Sequence, residues 1–296
     1  MNRTPTGTRT LISAADLARH RTAYRVVLAV VTALFLLVFA FPLYWMVTGA
    51  VKSPAELGQP TPTLIPQTFR PANYADAWHS LQVAHFFANT AKYALGGWLI
   101  QVSVDVLAAY ALSRLRPVLG RVVLGAMLAS LMLPAAALLV PAYLTVVDVP
   151  LVHANLLNTP WALWLPGAAN AFNIYLLKRF FDQLPGDLLD AASIDGAGRL
   201  RTLWSIVLPL SRPVLAVVSI FAVVGIWKDF LWPLLVLQDP QAQTLSVALS
   251  RLSTASYVTP NELLAGLVIA SLPMVAVFLL FQRHILSGLS AGSLKG

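Results

Sequence analysis

Six stretches of mostly apolar residues, each close to the length of a bilayer crossing, recur along this chain at 26–50, 86–112, 122–140, 161–181, 214–237 and 263–281. A helix rising about 1.5 Å per residue needs roughly 20 such residues to cross a hydrocarbon layer of about 30 Å. Water is absent from that layer, so every backbone N–H and C=O must be bonded within the segment or around a closed barrel. Barrel strands would leave period-two segments of about ten residues, which the sequence lacks. The stretches therefore predict helices. With 58% apolar and 11% charged residues among 296, the chain also holds more apolar side chains than one soluble core could cover. The expected fold class is an all-α integral membrane protein with six transmembrane helices.

The first stretch follows a polar start carrying Arg3, Arg9, Arg19, Arg21 and Arg25, and it is too long for the core of a cleaved signal peptide, so it is read as a retained span. Orientation follows from Lys and Arg, which accumulate in cytoplasmic loops. Fifteen of the twenty lie on the side that holds both termini, against three (Lys52, Arg70, Arg251) on the other. Both termini are expected in the cytoplasm, and residues 51–85, a proline-rich loop, outside. The net charge of +8 is then a topology signal rather than a sign of nucleic-acid binding. The chain divides into a cytoplasmic tail 1–25, a first helix and external loop 26–85, a five-helix core 86–282 and a tail 283–296.

One predicted cytoplasmic connection, 185–209, has helical punctuation of its own. Pro185 and Gly186 break the incoming helix, Asp187 stands at a capping position, and Asp190 three residues later suits a capping box and the helix dipole. A short helix over 188–194 is expected, then a turn at Gly196 and Gly198, then a second helix from Arg199 that stops at Pro209. Small residues (Ala191, Ala192, Ala197) beside Leu188, Ile194 and Asp195 fit either an interfacial helix resting on lipid headgroups or a knob that docks on a partner.

The run Asp190-Ala-Ala-Ser-Ile-Asp-Gly-Ala197, followed by Ile206-Val-Leu208-Pro209 and Pro213, resembles the EAA loop of the membrane subunits of binding-protein-dependent ABC importers. The segments Phe172 to Phe181 and Trp227-Lys-Asp-Phe-Leu-Trp-Pro-Leu-Leu235, and the tail from Gln282 to Gly296, resemble the carbohydrate branch, in particular the maltose-type second permease. Asp190 stands where that family usually has Glu, and Lys228 where it usually has Asn. The resemblance implies a type I importer fold in which Asp190, Ala191, Ala192, Asp195, Gly196, Ala197, Leu208 and Pro209 couple to an ATPase. It also implies that Gly288, Leu289, Gly292 and Lys295 of the tail contact that ATPase. Its implied partners are a second homologous permease chain, two cytoplasmic ATP-binding subunits, an extracytoplasmic sugar-binding protein and the lipid bilayer of a bacterial cytoplasmic membrane.

No G-x-x-x-x-G-K-[ST] occurs, so ATP and Mg are expected on the partner ATPase and no cofactor on this chain. Gly288-Leu-Ser-Ala-Gly292 matches a nucleophile elbow in form only, because no strand precedes it and no Asp and His follow to complete a triad. The histidines form no i, i+4 pair, so neither a metal site nor a catalytic site is expected. Charges within spans are costly, at least about 2.5 kcal/mol each, and call for partners. Lys92 can snorkel. Asp105 can meet a cation or line a cavity. Trp227, Lys228, Asp229 and Phe230 offer aromatic faces and charged hydrogen-bonding groups to a sugar, or else a structural ion pair. The function expected is a permease subunit forming half of a carbohydrate pathway. A proton-coupled carrier, or an importer of a glycerol phosphate ester, is the alternative, although a carrier would have no use for the elbow at 187–208.

Overall fold

The computed structural model describes the backbone of residues 21–293 and the side chains of residues 22–281; most of the tail 1–25, and Lys295 with its neighbours, lie outside the described residues. Its regular structure is helical, apart from one isolated bridge between Val149 and Ala154. Among the described residues three helices are long and apolar enough to cross a membrane: α1 (Arg21–Ala50), α2 (Val83–Tyr110, continued by a π turn Ala111–Leu115) and the last, Pro260–Ser293. Two bent pairs raise the number to as many as five if each pair is one span.

The remaining predicted spans are not single straight helices, and proline explains the breaks. The stretch 122–140 is split into α3 (Gly120–Ser130) and α4 (Ala135–Val147), which meet at 110°. Pro134 has no N–H for the Ser130 carbonyl and biases Leu133 out of the helical region. The stretch 161–181 becomes one helical turn, Trp161–Trp164, then α5 (Ala171–Asp182). Between them Pro166 leaves the Ala162 carbonyl without its i+4 donor, and the Trp232 indole N–H takes that place at 3.0 Å. Asn170 caps α5, its side chain accepting the Asn173 N–H at 3.0 Å.

The elbow forms as α6 (Gly186–Ile194) and α7 (Arg199–Thr202) around Gly196, whose φ of +76° is the left-handed conformation that favours glycine. Two details differ from expectation. Pro185, not Asp187, is the N-cap, with Asp187 in the first turn and no side-chain cap bond. Helix also continues past Thr202 through a π turn, Leu203–Val207, to Leu208–Leu210, so Pro209 does not end it. In the π turn the Leu208 N–H reaches back five residues to Leu203, and the chain bends by 86° only after Leu210. Helix α8 (Arg212–Lys228) follows, then an interruption at Asp229 and Phe230, then α9 (Leu231–Val236). Pro233 can offer no N–H to the Asp229 carbonyl, which places this break. After α10 (Leu245–Leu252) the chain closes with α11 (Pro260–Ser293), whose helical backbone carries Gly288, Leu289 and Gly292.

Helix α2 is the central post, packed against α5 and α8, while α11 joins α8 to α1. Gly96 and Gly97 make this closeness workable: a Cβ on Gly96 would collide with the Trp164 ring, and one on Gly97 would lie 2.8 Å from Ile226 Cδ1. One apolar cluster (Val106, Tyr110, Leu177, Phe181, Val207, Val218) fills the elbow end. A second, with Ala50, Leu81, Phe86 and Leu249, fills the opposite end. Helix α1 packs on α11 but leaves most of its length uncovered: Leu37 and Phe39 are each 70% exposed, as suits a helix apolar all round that faces lipid.

The loop after α1 is a folded cap rather than a loose connection. Buried Lys52 lies 4.5 Å from the centre of the Trp45 ring and donates to the Thr63 carbonyl. The Glu56 carboxylate accepts from Thr63 Oγ1 at 2.6 Å, from the Gln67 N–H at 2.9 Å and from both the N–H and the hydroxyl of Thr68.

Candidate functional site

The interruptions at 165–170 and 229–230 line one space beside α2, and that space is the candidate site. One cavity of about 440 Å³ is lined by Gln101, Gly167, Asn170, Asn173, Phe221 and Gly225. A second, of about 280 Å³, shares Pro166, Gly167, Gly225 and Ile226 with it and adds Tyr93, Asp229, Trp232 and Thr244. Broken helices expose main-chain polar groups, and at membrane depth that is tolerated where they line a cavity or are buried in protein.

Asp105, fully buried beside the first cavity, meets no cation among the described residues. One carboxylate oxygen accepts the Asn170 N–H at 2.8 Å and the other accepts Asn173 Nδ2 at 3.2 Å. The acid therefore sits at the N-terminus of α5, where it accepts a backbone N–H that the helix itself leaves without a partner. It ties α2 to the first break.

The four residues from the 227–230 run do not act as a group. Trp227 donates its indole N–H to the Ala270 carbonyl at 3.3 Å and stacks edge-on to Phe87 at 5.3 Å, so it joins α8 to α2 and α11. Asp229 lines the cavity, and its Oδ1 accepts the Trp232 N–H at 3.5 Å. Lys228 and Phe230 are exposed. Among the described residues neither Lys228 nor Asp229 has an ion-pair partner, so the interhelical pair is not formed. Lys92 lies 4.7 Å from the Tyr93 ring centre and within 3.5 Å of Asn89 Oδ1, an exposed position. Sequence reasoning missed Tyr93 and Thr244, whose buried hydroxyl has no partner among the described residues.

At the elbow the predicted residues separate by burial. Asp190, Ala191, Asp195, Gly196 and Pro209 are exposed, Ala197 and Leu208 are half-buried, and Ala192 is buried, so its small side chain serves packing within this chain. The outward apolar knobs are Leu188, Ile194 at 86% exposure, Leu200 and Trp204 at 69%. Trp204 was not anticipated; a lone Trp between two helix signals was its only mark.

Hydrogen bonds bind the elbow to the post. Tyr110 Oη donates to the Arg199 carbonyl at 3.1 Å. Arg114 donates to the carbonyls of Phe181 and Leu184, closing the C-terminus of α5. Ser113 and Lys178 both donate to the Asp182 carboxylate at 2.7 Å. A chain of hydrogen bonds and helix thus runs from the elbow through the end of α2 to Asp105 and the first break.

Broken helices that line a cavity beside a long apolar helix are the arrangement found where membrane proteins pass a solute. Residues 105–290 match the model of the family described as binding-protein-dependent transport system inner membrane component, and this chain belongs to that family. It is 34% identical to protein LplC of Bacillus subtilis (strain 168), over 86% of this chain and 89% of that one. It is 30% identical to the melibiose/raffinose/stachyose import permease protein MelC of the same organism, over 86% and 91%. Among solved structures, a chain of a bacterial ABC transporter involved in import of the acidic polysaccharide alginate superimposes with a TM-score of 0.78 at 25% identity. That match covers 95% of this chain and 99% of that one. The chain is accordingly a transport subunit rather than an enzyme.

Proposed function

We propose that this chain forms half of the path by which an ABC importer carries a di- or oligosaccharide through the bacterial cytoplasmic membrane. The observation that carries the solute class is the 30% identity with MelC over 86% of the chain. The cavity is in keeping with it: Tyr93 and Trp232 offer ring faces, and Asp229 and the unpartnered Thr244 hydroxyl offer hydrogen-bonding groups. Asp229 is the pathway residue of the 227–230 run, and Trp227 serves packing.

In this reading the chain crosses six times, with 161–182 crossing as a broken segment, and both termini lie in the cytoplasm. The elbow 185–209 docks on one of two ATP-binding subunits through Leu188, Ile194, Leu200 and Trp204. ATP and Mg act on those subunits, and the tail with Gly288, Leu289, Gly292 and Lys295 lies against them. A second permease chain completes the path, and an extracytoplasmic binding protein delivers the sugar. Movement of the elbow displaces α2 and α5 together, because Tyr110, Arg114 and Asp182 lock them, and the shift reaches the cavity through Asp105. A conformational change of this kind requires that the ligand bind the two states unequally, which nucleotide on the ATPase supplies.

Uptake of labelled sugars by vesicles holding the whole importer tests the reading. Raffinose-type uptake that needs internal ATP and the binding protein, and that survives a protonophore, is expected. Uptake of glycerol 3-phosphate without sugar uptake would overturn the solute class, and uptake driven by a proton gradient without ATP would overturn the coupling.

A further inference from the structure

The elbow end holds another cavity, of about 620 Å³, walled by the π turn at the end of α2, the start of α3, and Lys178 and Asp182 of α5. Three cations line it, Arg116, Arg121 and Lys178, against the single carboxylate of Asp182. That carboxylate is already engaged on both oxygens, one accepting from Ser113 and the other from Lys178, and neither arginine is bonded to it. Lys178 is thereby neutralised. Arg116 donates only from Nε, at 3.4 Å to the Ser113 carbonyl, and Arg121 makes no hydrogen bond or ion pair among the described residues. Two guanidinium groups are left facing the cavity without an anion.

The surroundings are apolar. Val118 is fully exposed, and Leu119, Val122 and Leu115 are each more than 40% exposed, on a chain that sits in a membrane. Arg116 is fixed at this edge by its backbone, with φ of +47° and its N–H bonded to the Ala111 carbonyl at 3.0 Å. A fitting occupant has oxygen acceptors with negative charge at one end and hydrocarbon at the other.

We propose that this cavity binds the headgroup of an anionic phospholipid, with its phosphate on Arg116 and Arg121 and its acyl chains along Val118, Leu119 and Val122. Planar guanidinium forks match phosphate oxygens, and basic residues at a membrane surface attract anionic lipid. The bound lipid braces the π turn beside Arg114, on the path from elbow to cavity.

Native mass spectrometry of the intact importer, purified from vesicles of phosphatidylcholine and phosphatidylglycerol, tests this. Wild type should retain phosphatidylglycerol selectively. Arg116→Gln with Arg121→Gln should weaken the selectivity by roughly thirtyfold, or about 2 kcal/mol at 1.4 kcal/mol per tenfold. Arg121→Gln alone, which removes no bond from the fold, should lose part of it and so guards against misfolding of the double variant. Inorganic phosphate should displace the lipid no better than chloride at equal ionic strength. Equal retention in wild type and variants, or release by inorganic phosphate, would overturn the proposal. So would loss of the ATPase subunits from the variants with phosphatidylglycerol still bound, since the arginines would then face a protein.

Discussion

The Trp232 indole N–H donates to the Ala162 carbonyl at 3.0 Å, so the two interrupted segments that open the cavity are bonded directly to each other. The carbonyl is free because Pro166 has no N–H to give it, and the indole lies where it does because Pro233 ends the preceding helix. Replacing Trp232 with Phe keeps a ring but leaves a buried carbonyl unpaired, which costs about 1–3 kcal/mol. A lower melting temperature of the purified importer, with reduced sugar uptake, is expected. An unchanged melting curve would show the bond to be dispensable.

Asp105 acts as an acceptor for amides. Asp105→Ala should destabilise α5, because the Asn170 N–H and the Asn173 amide are both left unpaired, at about 1–3 kcal/mol for each group. Asp105→Asn retains one acceptor and should support measurable uptake. Complete loss in the Asn variant, with normal assembly, would point to a proton-carrying role instead.

Gly196 is required for its backbone. A Cβ there meets nothing within 4 Å, so only the φ of +76° resists substitution, by about 1–2 kcal/mol for an ordinary L residue. Gly196→Leu should lose sugar uptake and sugar-stimulated ATPase while remaining in the membrane, and Gly196→Asn, which visits this region more readily, should retain most of both. Equal activity of the two variants would refute the role of the turn.

The cap after α1 depends on ionised Glu56. Its bond from Thr63, opposed by burial and aided by Gln67 and Thr68, holds the carboxyl at about 2 against an ordinary 4.5. The stabilisation is complete above about 4.5 and is lost as pH falls toward 2. Protection of the Gln67 and Thr68 amides from hydrogen exchange, taken relative to the intrinsic rate at each pH, should fall over that interval in wild type. In Glu56→Gln it should be low throughout, with little dependence on pH.

Orientation can be read chemically, since the chain has no cysteine. A single cysteine at Ser193 should resist an impermeant maleimide in intact cells and react in inverted vesicles, while one at Thr61 should do the reverse. Labelling of position 193 from outside would sink the six-crossing reading.

Apolar length and Gly and Pro punctuation made much of this protein legible in its sequence. The lengths of 26–50, 86–112 and 263–281 required helices, and the run from Pro185 to Arg199 required a helical elbow turning at Gly196, although not the side-chain cap at Asp187. These are local properties: satisfying the backbone within one segment, or turning at one glycine, needs no knowledge of the rest of the chain. The partners of polar groups were not legible. Asp105 was open to a cation and found two amides 65 and 68 residues away, and the expected company of Lys228 with Asp229 dissolved into separate environments.

Proline shows the division most clearly. Pro42 and Pro273 lie inside continuous helices, whereas Pro134, Pro166 and Pro233 accompany breaks. The sequence by itself determined that each would remove one helical hydrogen bond. Only the tertiary structure decided which would become an opening, because a freed carbonyl is stable in a break when another element supplies its donor, as Trp232 does for Ala162.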